Sequence, residues 1–210
     1  MKCNNLIRSY FFGGIWALGA ATVALGQTPS GELLVQCPVM QKEMPLRNME
    51  DAIFRDILGV RYFLCCGPCL EDFEKNPSPW TKPQPGLKAI QGISLFDPVL
   101  GARLDLPRAA ARVARDGVIY PFLSKESRDR FLKDPKRFTA RPAKERLTCP
   151  ITGRVFQDSA EAAGYSDFEG QRLYFATWLG KSQFDANSAA YKERLSEKKP
   201  PSESPGGSVP

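Results

Sequence analysis

Short apolar runs separated by polar turns predict small elements rather than long helices or one large sheet. Val60 to Leu64 is an apolar, aromatic run of the kind that forms a buried strand. Residues 49–58 before it are interpreted as a helix, with Asn48 as its N-cap and Gly59 at its end. Residues 32–36 form either a strand or coil. The pattern favours a mixed α+β fold.

A second short helix is predicted after the strand, from Cys69 to Lys75. Leu70 and Phe73 fall on one face of that helix, as expected for a helix that packs on a sheet. Residues 77–86 contain four prolines and are typical of a linker. The strand, the short cysteine-containing segment from Cys65 to Cys69 (the knuckle) and the helix together define a first unit, which we place at residues 32–80.

The same order of landmarks returns twice further along the chain. Each copy opens with a residue followed by proline, continues with an aromatic strand, and ends in a helix that carries a phenylalanine. Phe73, Phe131 and Phe184 lie 36, 34 and 35 positions after the opening residues Cys37, Asp97 and Cys149. The sequence therefore predicts three small strand–knuckle–helix units of treble-clef-like form, at residues 32–80, 92–138 and 144–195.

The two ends of the chain have a different character. Lys2 and Arg8 precede an apolar run from Tyr10 to Leu25, and small residues then place a cleavage site before Gln27. This is the three-part pattern of a secretory signal peptide, so residues 1–26 are predicted to direct export to the periplasm or outside the cell. An uncleaved N-terminal anchor is the alternative. Apart from Val209, residues 196–210 have no aliphatic or aromatic side chain to bury, and they are predicted to be disordered.

Charge argues against a nucleic-acid-binding protein. Removing Lys2 and Arg8 with the signal lowers the formal net charge from +6 to +4, and the remaining basic residues are interspersed with acids. Removing Cys3 as well leaves five cysteines, and an odd number cannot all pair within one chain. This favours a site that uses thiols, although a disulfide with thiols left over stays open. The mature protein is not expected to bind a membrane.

Candidate chemistry is concentrated in the first unit. The chain has no histidine, but Cys37, Cys65, Cys66 and Cys69 all fall in this unit. Thiolates are soft ligands that select copper(I), zinc or iron–sulfur clusters. Neighbouring side chains on a strand point to opposite faces, so only one of Cys65 and Cys66 is expected to join Cys69 at an ion, unless the strand has already turned. A three-thiolate site and a closed four-thiolate site both remain open.

The other two units lack this set of thiols. The four sulfur positions are occupied by Asp97, Leu123, Ser124 and Ser127 in the second unit, and by Cys149, Ala176, Thr177 and Gly180 in the third. Apolar burial must therefore hold those units together. Three methionines, Met40, Met44 and Met49, follow Cys37 and are candidate thioether ligands. Because Met40 matches Leu100, a core position is the favoured interpretation for it.

The residues of the first unit carry a resemblance to a known family. Cys37-Pro38-Val39-Met40, followed by Arg61-Tyr-Phe-Leu-Cys-Cys-Gly-Pro-Cys-Leu-Glu-Asp-Phe-Glu-Lys-Asn-Pro77, resembles the YHS domain and the related TRASH class of cysteine motifs. The resemblance implies a small α+β unit that binds a heavy-metal ion, Cu(I) or Zn(II), through Cys37, Cys65 and Cys69, with Cys66 as a candidate fourth ligand. It implies binding or delivery of the ion rather than catalysis, with a metal-handling or envelope protein as partner.

Two other functions fit the same residues. Cys66-Gly67-Pro68-Cys69 is also the active-site tetrapeptide of thioredoxin-like oxidoreductases, which exchange thiols and disulfides. The third function is a protein-interaction scaffold in which any metal is structural or vestigial. Under that hypothesis, Cys37→Ser and Cys65→Ser would leave partner binding intact.

Overall fold

The computed structural model describes residues 33–46, 52–82, 89–192 and 195, and it confirms a mixed α+β architecture. The predicted signal at 1–26 and the predicted tail at 196–210 lie outside the described residues. No helix within the described ranges has the length and apolar character needed to cross a bilayer. The elements are β1 (Leu33–Gln36), β2 (Glu43–Leu46), β3 (Ile53–Ile57), β4 (Val60–Leu64), α1 (Gly67–Lys75), β5 (Gly92–Ser94), β6 (Ala111–Arg115), β7 (Val118–Phe122), α2 (Lys125–Lys133), α3 (Pro135–Thr139), β8 (Lys144–Arg146), β9 (Gly164–Phe168), β10 (Gln171–Phe175) and α4 (Trp178–Ala186).

A β-hairpin followed by a nine-residue helix occurs three times along the described chain. The strand pairs β3–β4, β6–β7 and β9–β10 precede α1, α2 and α4. Each hairpin turns through two consecutive residues with positive φ, which is the turn type whose twist matches that of paired strands. These residues are Leu58-Gly59, Asp116-Gly117 and Glu169-Gly170. The three segments are consistent with the predicted repeats, while the unit boundaries remain predictions.

The helix predicted at residues 49–58 is wrong. Its described part contains strand β3, which pairs antiparallel with β4. Gly59, interpreted as a helix end, is instead the second residue of the hairpin turn, with a φ of +76°. The pairing is reinforced across the strands, because the Arg61 guanidinium donates to both carboxylate oxygens of Asp56 at 2.9 and 2.8 Å. Cross-strand contacts therefore override the local helical pattern. The proposed cap Asn48 lies outside the described residues.

The first two hairpins share one five-stranded sheet, in the order β3-β4-β5-β7-β6. Strand β5, which comes after the proline-rich linker, pairs antiparallel with β4 and parallel with β7. Gly92 permits this arrangement, because a Cβ atom there would lie 2.8 Å from the carbonyl oxygen of Arg61. The third hairpin belongs to a separate sheet, β8-β10-β9. Strand β1 pairs with β2 and forms an isolated parallel bridge from Val35 to Ile90. Strand β5 thus joins the cysteine-bearing hairpin to its thiol-free counterpart.

One phenylalanine in each of the three nine-residue helices is fully buried against an aromatic ring of the preceding strand. The predicted positions of these phenylalanines on the buried helix faces are confirmed. Contacts of this kind contribute beyond simple burial of apolar area. The ring centroids are 5.4 Å apart for Phe73 and Tyr62, 5.2 Å for Phe131 and Phe122, and 5.2 Å for Phe184 and Phe175.

Arg172 in β10 attaches the third hairpin to the first. Its guanidinium donates to the backbone oxygen of Leu58 at 2.6 Å and to both carboxylate oxygens of Asp167 at 2.7 Å. It also lies 3.8 Å above the ring of Tyr165. Glu145 accepts a hydrogen bond from the Leu58 backbone N–H at 3.0 Å. The third unit therefore satisfies both the backbone N–H and the backbone oxygen of Leu58.

Alkaline pH is expected to destabilise the fold through Tyr62. Burial raises the pKa of its hydroxyl to about 12, whereas in the unfolded chain the hydroxyl ionises at about 10. Its contribution to the free energy of unfolding, roughly 2–3 kcal/mol, is therefore fully present below about pH 10 and is lost as the pH rises to about 12. Urea unfolding across this window should show a smaller loss in Tyr62→Phe than in the wild type. Equal losses would contradict the prediction.

Candidate metal centre

Three cysteine sulfurs from three separate elements meet in the first unit. Cys37 follows β1, Cys65 follows β4, and Cys69 lies in the first turn of α1. The Sγ atoms of these three residues all lie within 4.8 Å of one another. Cys37 is 0% and Cys69 is 3% exposed, and Cys65 is half-buried. The structure therefore brings the remote cysteine to the knuckle, as the sequence predicts; its role as a metal ligand remains a prediction.

A closed turn holds Cys37 in place. The backbone N–H of Gln41 donates to the Cys37 carbonyl at 2.8 Å, and the Cys37 N–H donates to the Lys42 carbonyl at 2.9 Å. Gln41 adopts a φ of +56°, which reverses the chain within this turn. Backbone hydrogen bonds within the chain thus hold this turn and place Cys37 at its start.

The knuckle brings Cys65 and Cys66 to the same place rather than to opposite faces. Strand β4 ends at Leu64, so both cysteines lie in the bend that leads into α1. The Sγ of Cys69 lies 3.6 Å from that of Cys65 and 3.3 Å from that of Cys66, and the latter two are 3.8 Å apart. The alternation expected along a strand does not apply, because the strand has already turned.

These distances match the scale of a single metal ion. An ion bound tetrahedrally by sulfur at about 2.3 Å has ligand atoms separated by about 3.8 Å. The separations among Cys65, Cys66 and Cys69 fall close to that value. All five cysteines within the described ranges are free thiols, so each of them is available as a metal ligand. Cys37, Cys65 and Cys69 could therefore hold a soft ion with Cys66 beside them.

The thiols of the cluster differ in acidity because their surroundings differ. Cys66 stands at the N-cap of α1, where the backbone N–H and then the thiol of Cys69 lower its pKa. Burial, followed by the neighbouring thiols, raises the pKa of Cys69, and burial also raises the pKa of Cys65. A cation bound among these sulfurs would favour loss of their protons.

In the second unit the carboxylate of Asp97 links the turn that opens the unit (the opening turn, Asp97 to Gly101) to the start of α2. Asp97 is completely buried. Its Oδ1 accepts hydrogen bonds from the backbone N–H groups of Val99 and Leu100, at 2.9 and 3.2 Å. Its Oδ2 accepts from the Leu123 backbone N–H at 2.9 Å and from the Ser127 hydroxyl at 2.7 Å. One side chain therefore ties the opening turn to the start of α2.

This network occupies the positions of the cysteine cluster. The opening turn has the same form, since the Gly101 N–H donates to the Asp97 carbonyl at 2.8 Å. Sequence reasoning expected only apolar burial here and missed the carboxylate network. The signal that could have revealed it is a carboxylate and a hydroxyl at two sulfur positions. Asp97, Leu123 and Ser127 correspond to Cys37, Cys65 and Cys69.

The third unit keeps one thiol at the opening position. Cys149 is buried, and burial raises its pKa, but hydrogen bonds from the Thr152 side chain and from the backbone of Ala176, Thr152 and Ile151 together outweigh burial, so the pKa is lowered. Thr177 caps α4 by accepting from the Gly180 N–H at 3.1 Å. Within the described residues, clustered metal-ligating groups occur only in the first unit.

Met40 does not occupy the core position that its match to Leu100 suggested. Its side chain is 64% exposed, and its Sδ lies 4.0 Å from the Sγ of Cys65. The difference arises because the opening turn carries Met40 on its outer side, next to the knuckle. Met44 in β2, by contrast, is half-buried and packs against the apolar core. Met49 lies outside the described residues.

Comparison with known proteins supplies no homologue from which a function could be transferred. The resemblance to the YHS domain therefore rests on motif residues and their spacing. No protein-family model, curated protein or solved structure matches this chain.

Proposed function

We propose that this protein binds a heavy-metal ion, Cu(I) or Zn(II), through the thiolates of Cys37, Cys65 and Cys69. Cys66 is a further candidate ligand. The observation that carries the proposal is the approach of three thiols, two of them buried, to within 4.8 Å of one another. Soft thiolate ligands at this spacing suit these ions. Binding and delivery are proposed rather than catalysis.

The second unit supports a binding role over a purely structural one. It reaches the same turn, hairpin and helix with Asp97 and hydrogen bonds, so this local shape does not require a metal ion. Two of the clustered thiols, Cys65 and Cys66, are only half-buried, which leaves an ion accessible to a partner. The resemblance to YHS and TRASH motifs and their treble-clef-like units agrees with metal binding. We also propose export by residues 1–26 and a metal-handling or envelope protein as partner.

Elemental analysis of the full chain, purified without chelator and then titrated with Cu(I) and Zn(II), tests the proposal. We expect about one ion per chain, bound in competition with a chromogenic chelator. Cys149→Ser is the matched control, because it removes a buried thiol outside the cluster and should leave the stoichiometry unchanged. A wild-type protein that neither carries nor takes up either ion would overturn the proposal.

Thiol–disulfide exchange is the second candidate. The 3.3 Å separation of the Cys66 and Cys69 sulfurs favours it, together with the position of Cys66 at a helix N-terminus and its lowered pKa. An insulin reduction assay distinguishes the two functions. Stoichiometric metal with no reductase activity supports metal binding, whereas turnover by a metal-free protein would select the redox function.

A further inference from the structure

We infer that the thioether of Met40 is a ligand of the bound ion and makes the site selective for copper(I) over zinc. The inference rests on the proposed metal-binding function and names the ion. Its starting point is the 4.0 Å separation between the Met40 Sδ and the Cys65 Sγ. This distance is close to the roughly 3.8 Å that separates two sulfur ligands of one tetrahedral ion.

Burial of its side chain does not set the position of Met40. It is 64% exposed, although burying such a side chain would contribute roughly 1.5–3 kcal/mol. Packing therefore does not explain why its sulfur lies beside the knuckle. The backbone hydrogen bonds between Cys37, Gln41 and Lys42 close the turn that carries Met40, so the thioether and the buried Cys37 thiol approach the knuckle from one rigid segment.

The other two units provide an internal comparison. The residue three positions after the opening residue is Leu100 in the second unit and Thr152 in the third, and neither offers a thioether. Those are also the units without a cluster of metal-ligating groups in the described residues. Only the unit with clustered thiols therefore has a methionine at this position of the turn.

The chemistry of the donor set distinguishes the two candidate ions. Zinc in proteins is bound by thiolate, imidazole and carboxylate, and a thioether is not among its usual ligands. Copper(I) is a softer ion that takes both thiolate and thioether sulfur. With three thiolates and an exposed thioether, the cluster presents sulfur alone. Met40 also forms the solvent-facing edge of the site, where copper(I) would enter and leave.

X-ray absorption spectroscopy of selenomethionine-labelled protein tests this inference. Full-length protein containing selenomethionine is loaded with Cu(I), and X-ray absorption at the copper and selenium edges is expected to show a direct Cu–Se contact. Met40→Leu, which places in the turn the residue found at position 100, should abolish this contact. It should also weaken Cu(I) binding by about tenfold or more while leaving Zn(II) affinity unchanged. Met44→Leu is the matched control and should change neither quantity.

Each result bears on a distinct claim. Copper bound without a selenium neighbour, at an affinity unchanged in Met40→Leu, would overturn the inference while the thiolate site stands. An equal loss of Cu(I) and Zn(II) affinity in Met40→Leu would overturn the selectivity. A wild-type protein that binds neither ion would overturn both the inference and the proposed function.

Discussion

Cys69→Ser is expected to abolish stoichiometric metal binding. The Sγ of Cys69 lies 3.3 Å from that of Cys66, 3.6 Å from that of Cys65 and within 4.8 Å of that of Cys37. A hydroxyl is a much poorer ligand than a thiolate for a soft ion. Affinity should fall by more than about 100-fold, above the loss typical of residues that only support a ligand.

The second unit shows that serine is compatible with this position. Ser127 corresponds to Cys69, lies in the first turn of α2 and is buried there. The Ser127 hydroxyl donates to the Ser124 carbonyl at 3.1 Å, and the Cys66 carbonyl occupies the corresponding position in the first unit. Circular dichroism should show unchanged secondary structure in Cys69→Ser, so that a loss of metal reports on the ligand rather than on unfolding. Cys149→Ser serves as the control. Full occupancy of Cys69→Ser at wild-type affinity would remove this residue from the site.

Asp97→Ala is expected to lower the free energy of unfolding by at least about 3 kcal/mol. The substitution removes a completely buried carboxylate that accepts four hydrogen bonds. Hydrogen bonds to a charged group contribute about 1.5–3 kcal/mol each, and donors left unsatisfied in the interior add a further cost. Because the contributions within one network are not additive, the expected loss is smaller than the sum of the four hydrogen bonds. Urea denaturation measures it.

Two further variants separate the contributions of individual hydrogen bonds to Asp97. Ser127→Ala removes one of the four donors and should cost about 1–2 kcal/mol. Asp97→Asn keeps the side-chain volume but replaces one acceptor oxygen with an amide nitrogen, which cannot accept a hydrogen bond. Its loss of unfolding free energy should therefore lie between the losses in Ser127→Ala and Asp97→Ala. A loss below about 1 kcal/mol in Asp97→Ala would show that apolar burial alone holds this unit.

Local patterns predicted those features that depend on neighbouring residues. The aromatic strand at Val60–Leu64 and the buried face of α1 are confirmed. Recurrence strengthened these predictions, because Phe73, Phe131 and Phe184 all pack in the same way. The approach of Cys37 to the knuckle followed from the same reasoning and is observed.

Other features depend on how strands pair, and the periodicity of a single element does not encode them. Residues 53–57 form a strand because β4 lies beside them and Arg61 pairs with Asp56 across the hairpin. The sharing of one sheet by two units depends on Gly92 fitting against the backbone of β4. The β3–β4 pairing is close in sequence, but Gly59 is interpreted from the local pattern as a helix end rather than as part of the hairpin turn, whereas Gly92 is remote from β4 in the sequence.

The sequence by itself determined the aromatic strand and the phenylalanine-bearing helix that follows it in each repeated unit, and it concentrated the thiols in the first unit. Only the tertiary structure decided that Cys65 and Cys66 lie together, that Met40 stands exposed beside them, and that Asp97 replaces sulfur with hydrogen bonds. The physical reason is that periodicity specifies which face of an element is apolar, whereas the distance between two side chains depends on how turns and sheets join distant segments.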